Sequence, residues 1–428
     1  MSTIKQLNKR NNLKPFRRCE IRRRLNDGTG NYETDWTDIT SYIKSFGTLS
    51  LSLDTETIGV FTQSSMTLIG DNMNSAFADP SDNKSLFYTF LTRYKTLFRI
   101  KIGLYDTDGI TVIPTNGSVF YGILSGDVNL TENEATLNII STAFCLQEQS
   151  ASNLTLLATD TASGIISKIF QIQDSGGNNV FDRFITGTSI ATTTTAYVDV
   201  TGGSNLLSQS CLDIINRLCL VEDKCAFIDG NGSFYFRAKT SGTDIAWKFI
   251  GAGAYDEEYG VNIASIKNSN YIWSKIYNQV VIEHTDGSYV TASSTWEKGD
   301  SSSPDKYGEK KLNISEYWLG TDGATALAGS LYTNYYLPKR EVIISSSTFN
   351  PELKLLDRAS VTYYGDISSN EAGIWDTTCW GGTELWEDGI GLWAENKGGI
   401  YLNNVSMNII GINFDLDNFV NEFHLREV

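Results

Sequence analysis

Residues 321–367 read TDGATALAGSLYTNYYLPKREVIISSSTFNPELKLLDRASVTYYGDI and carry the clearest pattern of the chain. The first two residues, Thr and Asp, offer side-chain oxygens that can cap the start of a helix. Leu327, Leu331 and Tyr335 then recur at every fourth position, which is the spacing of one helix face. Pro338 lacks a backbone donor and ends the predicted helix.

Two strands are predicted after this helix. Residues 341–347 and 359–364 are runs rich in β-branched and aromatic residues. The Asn350-Pro351 step between them is typical of a turn. We therefore expect the helix to pack against this strand pair.

The order of these elements resembles a known family. The C-terminal part of bacteriophage tail hub proteins is similar to this arrangement. It too has a helix with a basic stop, then a strand, and then a segment like LLDRASV at 355–361 that leads into a final strand. Proteins of that family form rings at the tail tip or at the centre of the baseplate. The resemblance implies that matching partner elements lie elsewhere in the chain.

Length and composition indicate a turn-rich globular protein. The chain has 428 residues, of which 20% are charged and 12% aromatic, with 37 glycines and only 6 prolines. A chain of this length can form two or three domains, each with its own core. The composition is not that of a disordered protein.

Charge is distributed unevenly along the chain. The formal net charge is −16, yet the first 24 residues contain nine Lys or Arg and a single acidic residue, Glu20. The acidic remainder should repel nucleic acid, because binding to a duplex requires cations that replace phosphate counterions. We therefore expect no specific nucleic-acid binding.

Residues 1–15 are predicted to form a basic N-terminal arm, and the arginines that follow extend its charge. Three roles are compatible with this pattern: a solvated tail, a docking arm for an acidic neighbouring subunit, and a contact with nucleic acid. The candidate docking residues are Arg17, Arg18, Arg22, Arg23 and Arg24.

Residues 16–148 show the alternation typical of short antiparallel strands. In FRIKIGLYDTDG at 98–109, apolar residues alternate with Arg, Lys and Gly before an acidic turn. Three segments resemble the N-terminal tube-like barrel of the hub family: this one, VFYGILSGDVNLTENEATLNII at 119–140 and DWTDITSYIKSFGTLSLSLD at 35–54. A first β-barrel domain is expected over 16–148.

Residues 149–250 are predicted to be a connector of helices and one hairpin. Apolar spacing indicates helices within 150–171 and 205–221, with a Gly-, Ser- and Thr-rich segment between them. The segment CAFIDGNGSFYFR at 225–237 follows, and its Asp-Gly and Asn-Gly steps supply the positive φ of a hairpin turn. The hub resemblance implies the same helix and aromatic hairpin between two barrels.

Residues 251–428 are predicted to form a second β-barrel domain, with surface insertions near 293–320 and 370–398. The second insertion holds four of the nine tryptophans among glycines. Such a segment suits three roles: a domain core, a subunit interface, and stacking on sugar rings. The candidate contact residues are Trp375, Trp380, Trp386 and Trp393. The expected fold class is therefore mainly β, with two tube-like antiparallel barrels joined by a helical and hairpin connector.

Catalytic motifs are missing from the sequence. The two histidines, His284 and His424, lie far apart in predicted strands, and no serine has a G-x-S-x-G context. The six cysteines form no C-x-x-C pair and have no neighbouring histidine, which indicates reduced thiols and not a zinc site. The sequence Asp229-x-Asn231-Gly232 lacks the acidic residue that closes a calcium loop.

Phosphate-binding motifs are missing as well. The sequence has no P-loop and no G-x-G-x-x-G after a strand. Glycoside hydrolysis needs only two carboxylates, and the sequence alone does not show which ones could pair. We predict that the protein is not an enzyme and that it uses no cofactor and no metal.

Membrane segments are not predicted either. No apolar run reaches 18 residues, and the N-terminus lacks the apolar core of a signal peptide. We expect no membrane insertion by this chain and synthesis in a bacterial host cytoplasm.

The resemblance to the hub family implies a structural virion protein. Three copies would form a ring at the tail tip or baseplate centre, joining the tail tube or distal tail protein to tip, spike or fibre proteins and letting DNA pass. The acidic composition suits such a lumen, because a negative wall would not trap DNA. Two alternatives remain: a hexameric distal tail protein, and a receptor-binding tail protein that contacts carbohydrate.

Overall fold

The computed structural model describes residues 3–8, 14–25, 31–53, 64–73, 77, 96–115, 117–126, 128–199, 206–239, 244–251, 253–293, 307–364, 400 and 402–428. Within these ranges the protein is mainly β, and most strand pairs are antiparallel. The predicted fold class is confirmed at this level.

The strands form an N-terminal group and a second group that begins after the first connector helices. The N-terminal ones are β1 (Pro15–Arg23), β2 (Thr37–Asp38), β3 (Ile43–Ser45), β4 (Thr48–Ser52), β5 (Ser65–Asp71), β6 (Thr96–Tyr105), β7 (Val112–Ile113), β8 (Ser118–Leu124), β9 (Asn129–Leu130) and β10 (Glu134–Ser141). The others are β11 (Gly187–Ile190), β12 (Lys224–Ile228), β13 (Ser233–Ala238), β14 (Trp247–Ile250), β15 (Ile263–Tyr271), β16 (Gln279–Glu283), β17 (Tyr289–Ser293), β18 (Lys311–Ser315), β19 (Arg340–Ser346), β20 (Arg358–Tyr363), β21 (Leu402–Asp415) and β22 (Val420–Glu427).

Two of the five described helices lie between these groups of strands, one precedes β1, and two lie within the second group. They are α1 (Ile4–Asn8), α2 (Phe144–Glu148), α3 (Ala162–Phe170), α4 (Cys211–Val221) and α5 (Thr321–Tyr335), with short 3-10 turns at Thr40–Tyr42, Trp273–Lys275 and Thr285–Gly287. Helices α3 and α4 are shorter than the predicted 150–171 and 205–221.

Side-chain caps explain where α3 and α4 begin, whereas α5 follows Gly320 without a side-chain cap, so the predicted capping by Thr321 and Asp322 was wrong. Thr161 caps α3 by accepting a hydrogen bond from the Gly164 amide at 3.2 Å. Ser210 caps α4 in the same way, accepting from the Asp213 amide at 3.1 Å. Each cap satisfies one backbone N–H that has no partner inside the helix, and this positions the apolar stripe that follows.

Most strands belong to one sheet. Sixteen described strands are connected, and the main path runs β15-β19-β22-β21-β4-β5-β10-β8-β6-β1-β2, with β14, β20, β3, β7 and β9 attached to it. Two three-stranded sheets are not paired with it, in the orders β11-β13-β12 and β17-β16-β18. We call β1–β3 and β5–β10 the first β region, and β14, β15 and β19–β22 the second β region.

One segment bridges the two sides of the first β region. At its start, β2 pairs with β1, and at its end β3 pairs with β5. The Thr40 hydroxyl between them accepts a hydrogen bond from the Cys19 amide of β1 at 3.0 Å. Residues 37–45 therefore contact strands that are far apart in the order of the sheet.

Asn262 has a similar bridging position in the second β region. Its side-chain oxygen accepts from the Ile250 amide at 3.0 Å, and its side-chain nitrogen donates to the Lys248 carbonyl at 2.9 Å. The Asn262 amide also donates to the Ile250 carbonyl at 2.8 Å. This fully buried residue thereby links the edge of β14 to the start of β15.

The two β regions are joined by strand pairing and by a shared core. Strand β4 pairs with β21 from Thr48 to Ser52, and its described pairing with β5 is limited to Ser50 and Ser65. One hydrophobic cluster contains buried residues of both regions. Two separate barrels are thus not confirmed, because pairing among the described strands joins both predicted domains in one sheet and closes neither of them.

The predicted packing of the 321–335 helix was wrong. Helix α5 lies against β16, β17 and α4, and its Leu327, Leu331 and Tyr335 belong to a second hydrophobic cluster with the connector helices. The reason is that β16–β18 form a small sheet whose apolar face matches the helix, while β19 pairs with β15 and β22. Strand β18 also falls inside the expected 293–320 insertion, so this part is not a surface loop.

Candidate interaction surface

Strand β1 contains most of the predicted docking arginines. Because side chains alternate along a strand, Cys19 and Ile21 point into the core while Arg18, Glu20 and Arg22 occupy the opposite face. Residues 15–23 are therefore part of the sheet and not a solvated tail. The docking role of these arginines stays a prediction.

Glu20 is the centre of this outer face. Its side chain is only 7% exposed and accepts a hydrogen bond from Arg99 Nε at 2.8 Å. Lys101 Nζ lies 3.2 Å from the same carboxylate, and Arg18 lies 3.7 Å away. The register places Arg99 and Lys101 of β6 beside Glu20 and Arg18 of β1, which brings the charges together.

Two guanidinium groups contact the ring of Trp36. The distances from its ring centroid to the central carbon of Arg99 and of Arg22 are 4.1 Å and 4.7 Å. Tyr121 of β8 meets the same ring edge-on, with centroids 5.8 Å apart. Cation–π contacts of this type hold both guanidinium groups in place without neutralising their charge.

We name Arg18, Arg22, Trp36, Arg99 and Lys101 the β1 face. It contains four cations, and the nearby carboxylates are those of Glu20 and Asp38. The Asp38 carboxylate lies 3.1 Å from Arg18 Nε. Among the described residues the β1 face is therefore a local basic surface with an aromatic centre, on a chain whose net charge is −16.

The remaining candidate arginines have other positions. Arg17 donates to the Leu416 carbonyl at 2.7 Å and pairs with Asp417, so it lies at the joint between the two β regions. Arg23 pairs with Glu33 at 2.8 Å. Arg24 forms an isolated bridge with Tyr32 beyond the end of β1.

The start of the predicted basic arm packs on the chain itself. In α1, Ile4 and Leu7 are 1% and 2% exposed and belong to the core shared by both β regions. Lys5 lies 2.6 Å from Glu258 and 4.1 Å from the ring centroid of Tyr259. The solvated-tail interpretation is thus wrong for residues 4–8.

The four candidate tryptophans, at positions 375, 380, 386 and 393, lie outside the described residues. Their choice between core, subunit interface and sugar contact stays a prediction.

No cluster of three or more His, Cys, Asp or Glu able to hold a metal occurs in the part of the chain that the structure describes. Burial raises the pKa of the Cys225 thiol to about 11 and that of Cys211 to about 12, so both stay protonated near neutral pH. An open cavity of about 410 Å³ is lined by uncharged side chains and Lys168. Lys168 itself pairs with Asp160 at 2.6 Å.

The described helices include none with the length and apolarity needed to span a bilayer.

Sequence reasoning missed three of the five residues of the β1 face. The sequence pattern predicts that Trp36, Arg99 and Lys101 lie in or beside strands. It predicts no role for them, because no local sequence signal shows that they lie next to β1. The one usable signal is the alternation of FRIKIGLY, which puts Arg and Lys on one side of β6.

Three solved structures resemble this protein along almost its whole length. A tail protein from Neisseria meningitidis matches with a TM-score of 0.55 and 9% identity, covering 96% of each chain. A prophage tail protein from Shewanella oneidensis has a TM-score of 0.51 and 9% identity, covering 96% of this chain and 98% of the other. This chain has the fold of phage tail proteins.

A third structure agrees with that fold. A prophage tail protein from Listeria monocytogenes has a TM-score of 0.50 and 10% identity, covering 95% of this chain and 94% of the other. By contrast, no protein-family model matches the sequence, and no curated protein matches it. The phage-tail fold is thus recognised through shape, since 9–10% identity leaves little common sequence.

Proposed function

We propose that this protein is a structural virion protein, a phage tail hub that forms a trimeric ring at the tail tip or baseplate centre. The observation that carries the proposal is the full-length similarity to three phage tail proteins. The similarity covers both β regions and the connector together, so it supports a role for the whole chain and not for one module.

The proposed ring would contain two tube-like barrels per chain. In the first, residues 37–45 would close the sheet between β1 and β5. In the second, Asn262 would close it between β14 and β15. Three chains would then present six barrels in a closed ring, which protects strand edges by placing them against neighbours.

The proposed partners follow from this position. The ring would contact further copies of itself, the tail tube or distal tail protein on one side, and tip, spike or fibre proteins on the other. It would have no enzymatic activity and no specific affinity for DNA, which would pass through a negative lumen. The tryptophans of the 370–398 segment would contribute to a subunit interface, and the protein would reside in the virion tail.

The test is the mass of the purified full chain in solution, combined with low-resolution electron microscopy. A particle of three chains with a threefold ring and a central hole is the expected result. A sixfold ring would support a distal tail protein instead. A monomer that binds glycans, and loses this binding when Trp380 or Trp386 is replaced by alanine, would overturn the hub in favour of a receptor-binding protein.

A further inference from the structure

The β1 face is a surface that the fold itself leaves basic. It carries four cations against two carboxylates: Arg18, Arg99 and Lys101 contact Glu20, and Arg18 also contacts Asp38. Arg18 keeps 42% of its side chain exposed at the edge of the cluster. Trp and Arg are the residues that most often dominate binding energy at protein interfaces. The β1 face therefore has the composition of a docking site for an acidic partner.

An acidic loop with the complementary composition lies in the second β region. Residues 254–260 read AYDEEYG, between β14 and β15. Tyr255 is 78% exposed, and the Glu258 side chain is 61% exposed even though it contacts Lys5. The neighbouring Val261 is 55% exposed. The loop thus presents negative charge together with apolar surface.

Hydrogen bonds fix the shape of this loop. The Asp256 carboxylate accepts from the backbone amides of Glu258 at 2.9 Å and Tyr259 at 3.1 Å. Lys248 donates to the same carboxylate at 3.0 Å, and Tyr259 is buried against Trp247. Because the loop is already ordered, binding through it would cost little additional conformational entropy.

We propose that the 254–260 loop of one copy binds the β1 face of a second copy. The Glu258 carboxylate would meet the excess positive charge near Arg18, and the Tyr255 ring would add to the aromatic and guanidinium contacts around Trp36. The partner is a second copy because charge complementarity is present within the sequence itself. The two surfaces lie on different β regions, and within the proposed ring the contact is head-to-tail.

A head-to-tail contact repeated with a closing rotation generates a ring. The inference rests on the proposed function in this respect, since it names the surfaces through which the ring would close. It adds a direction to the assembly: the first β region of each copy would contact the second β region of the next.

Photo-crosslinking tests the contact without disturbing the core. Tyr255 is replaced by the photoreactive amino acid benzoylphenylalanine in the full chain, and isotopically heavy and light copies are mixed before irradiation. Mass spectrometry should find heavy-to-light crosslinks from position 255 to peptides of β1, β6 or residues 31–39. Crosslinks that map elsewhere on the neighbour, or only within one chain, would overturn the proposal.

Charge exchange provides an independent test. Arg18→Glu and Glu258→Lys should each weaken self-association about tenfold, measured by analytical ultracentrifugation. The chain that carries both changes should regain association, because it restores an opposite pair in every contact. Glu132→Lys is the matched control, since Glu132 is an exposed acid outside both surfaces and should leave association unchanged.

These measurements separate the inference from the proposed function. If the ring forms and both single variants self-associate as tightly as the wild type, the proposed contact is contradicted while the proposed hub function still stands. A wild-type chain that stays monomeric at high concentration would contradict both. Far-UV circular dichroism and melting curves of the variants exclude misfolding as the cause, and the crosslinking result stands independently of them.

Discussion

Asp417 connects the two β regions at the level of single atoms. It lies in the turn between β21 and β22, and its carboxylate accepts from the amides of Phe46 at 3.0 Å and Gly47 at 3.1 Å. The Ser45 hydroxyl and the Arg17 guanidinium also donate to it. Burial would raise the pKa of Asp417, but these hydrogen bonds outweigh it and hold the pKa below its usual value.

This lowered pKa gives a prediction with a defined sign. Because the folded pKa of Asp417 is lowered, its contribution to stability is present above the unfolded pKa of about 3.9 and is lost as pH falls through the folded pKa. Asp417→Asn should reduce the free energy of unfolding by about 1.5–3 kcal/mol at pH 7 and reduce the loss of stability below pH of about 4.

Urea unfolding between neutral and acidic pH measures this effect. Asp244→Asn is the control, since Asp244 is exposed and should leave the profile unchanged. If Asp417→Asn and the wild type have the same free energy of unfolding at pH 7, the Asp417 carboxylate does not stabilise the contact between the two β regions.

Gly230, in the turn between β12 and β13, is required for the close approach of this hairpin to β8. The expected positive φ is found at Gly232, at +85°, and not at Gly230. A Cβ at Gly230 would instead lie 2.1 Å from the Ser118 carbonyl oxygen of β8. The hairpin of β12 and β13 therefore approaches the first β region so closely that only glycine fits.

Gly230→Ala should lower the free energy of unfolding by about 1–3 kcal/mol, because backbone atoms cannot move aside as a flexible side chain would. Thermal melting of the full chain is the measurement. Gly126→Ala is the matched control, since a Cβ there meets no atom within 4 Å. Two variants with the same melting temperature would mean that the hairpin can shift away from β8.

At the scale of elements, the side chain of Asn262 links β14 to the start of β15, two described strands that are not paired with each other. Its side chain supplies both an acceptor and a donor to β14, so Asn262→Ala leaves the Ile250 amide and the Lys248 carbonyl without these partners. We expect a loss of about 2–4 kcal/mol, since two buried backbone groups lose hydrogen bonds. Hydrogen exchange of the Ile250 amide should accelerate more than that of the other β14 amides.

Asn268→Ala on the exposed side of β15 is the comparison for this experiment. It should change neither the free energy of unfolding nor the exchange of β14 beyond about 0.5 kcal/mol. Unchanged exchange at Ile250 in Asn262→Ala would show that the edge of β14 is held by other contacts.

At the scale of the whole molecule, the shared sheet and core predict joint unfolding of the two β regions. Leu49 of β4 and Phe414 of β21 belong to the same buried cluster, and their strands pair directly. Opening one region would expose apolar surface of the other, which couples their free energies. Amides of β5 and β10 in the first region and of β21 and β22 in the second should therefore exchange with similar protection.

Pulse-labelled hydrogen exchange in increasing urea can test this coupling. The expected result is one cooperative loss of protection in both β regions. Protection lost in the second region while the first stays folded would contradict it and would indicate two independent domains, as the sequence alone suggested.

Periodicity in the sequence was sufficient for elements whose pattern is local. Alternation of apolar and polar residues identified β6, and the apolar stripe and its end at Pro338 identified α5. These signals are reliable because burial on one face depends on spacing within a few residues. The mainly β class and the helical connector could be predicted for this reason.

The tertiary structure decided how these elements meet. Ser50 and Asn413 are 363 positions apart but share a hydrogen bond, and no local pattern encodes the register that pairs β4 with β21. The same holds for α5, whose apolar face could match either sheet, and for Trp36, Arg99 and Arg22, which come together only across paired strands. Sequence determined which residues face a core, whereas long-range packing determined which core they enter and which charges they bring to one surface.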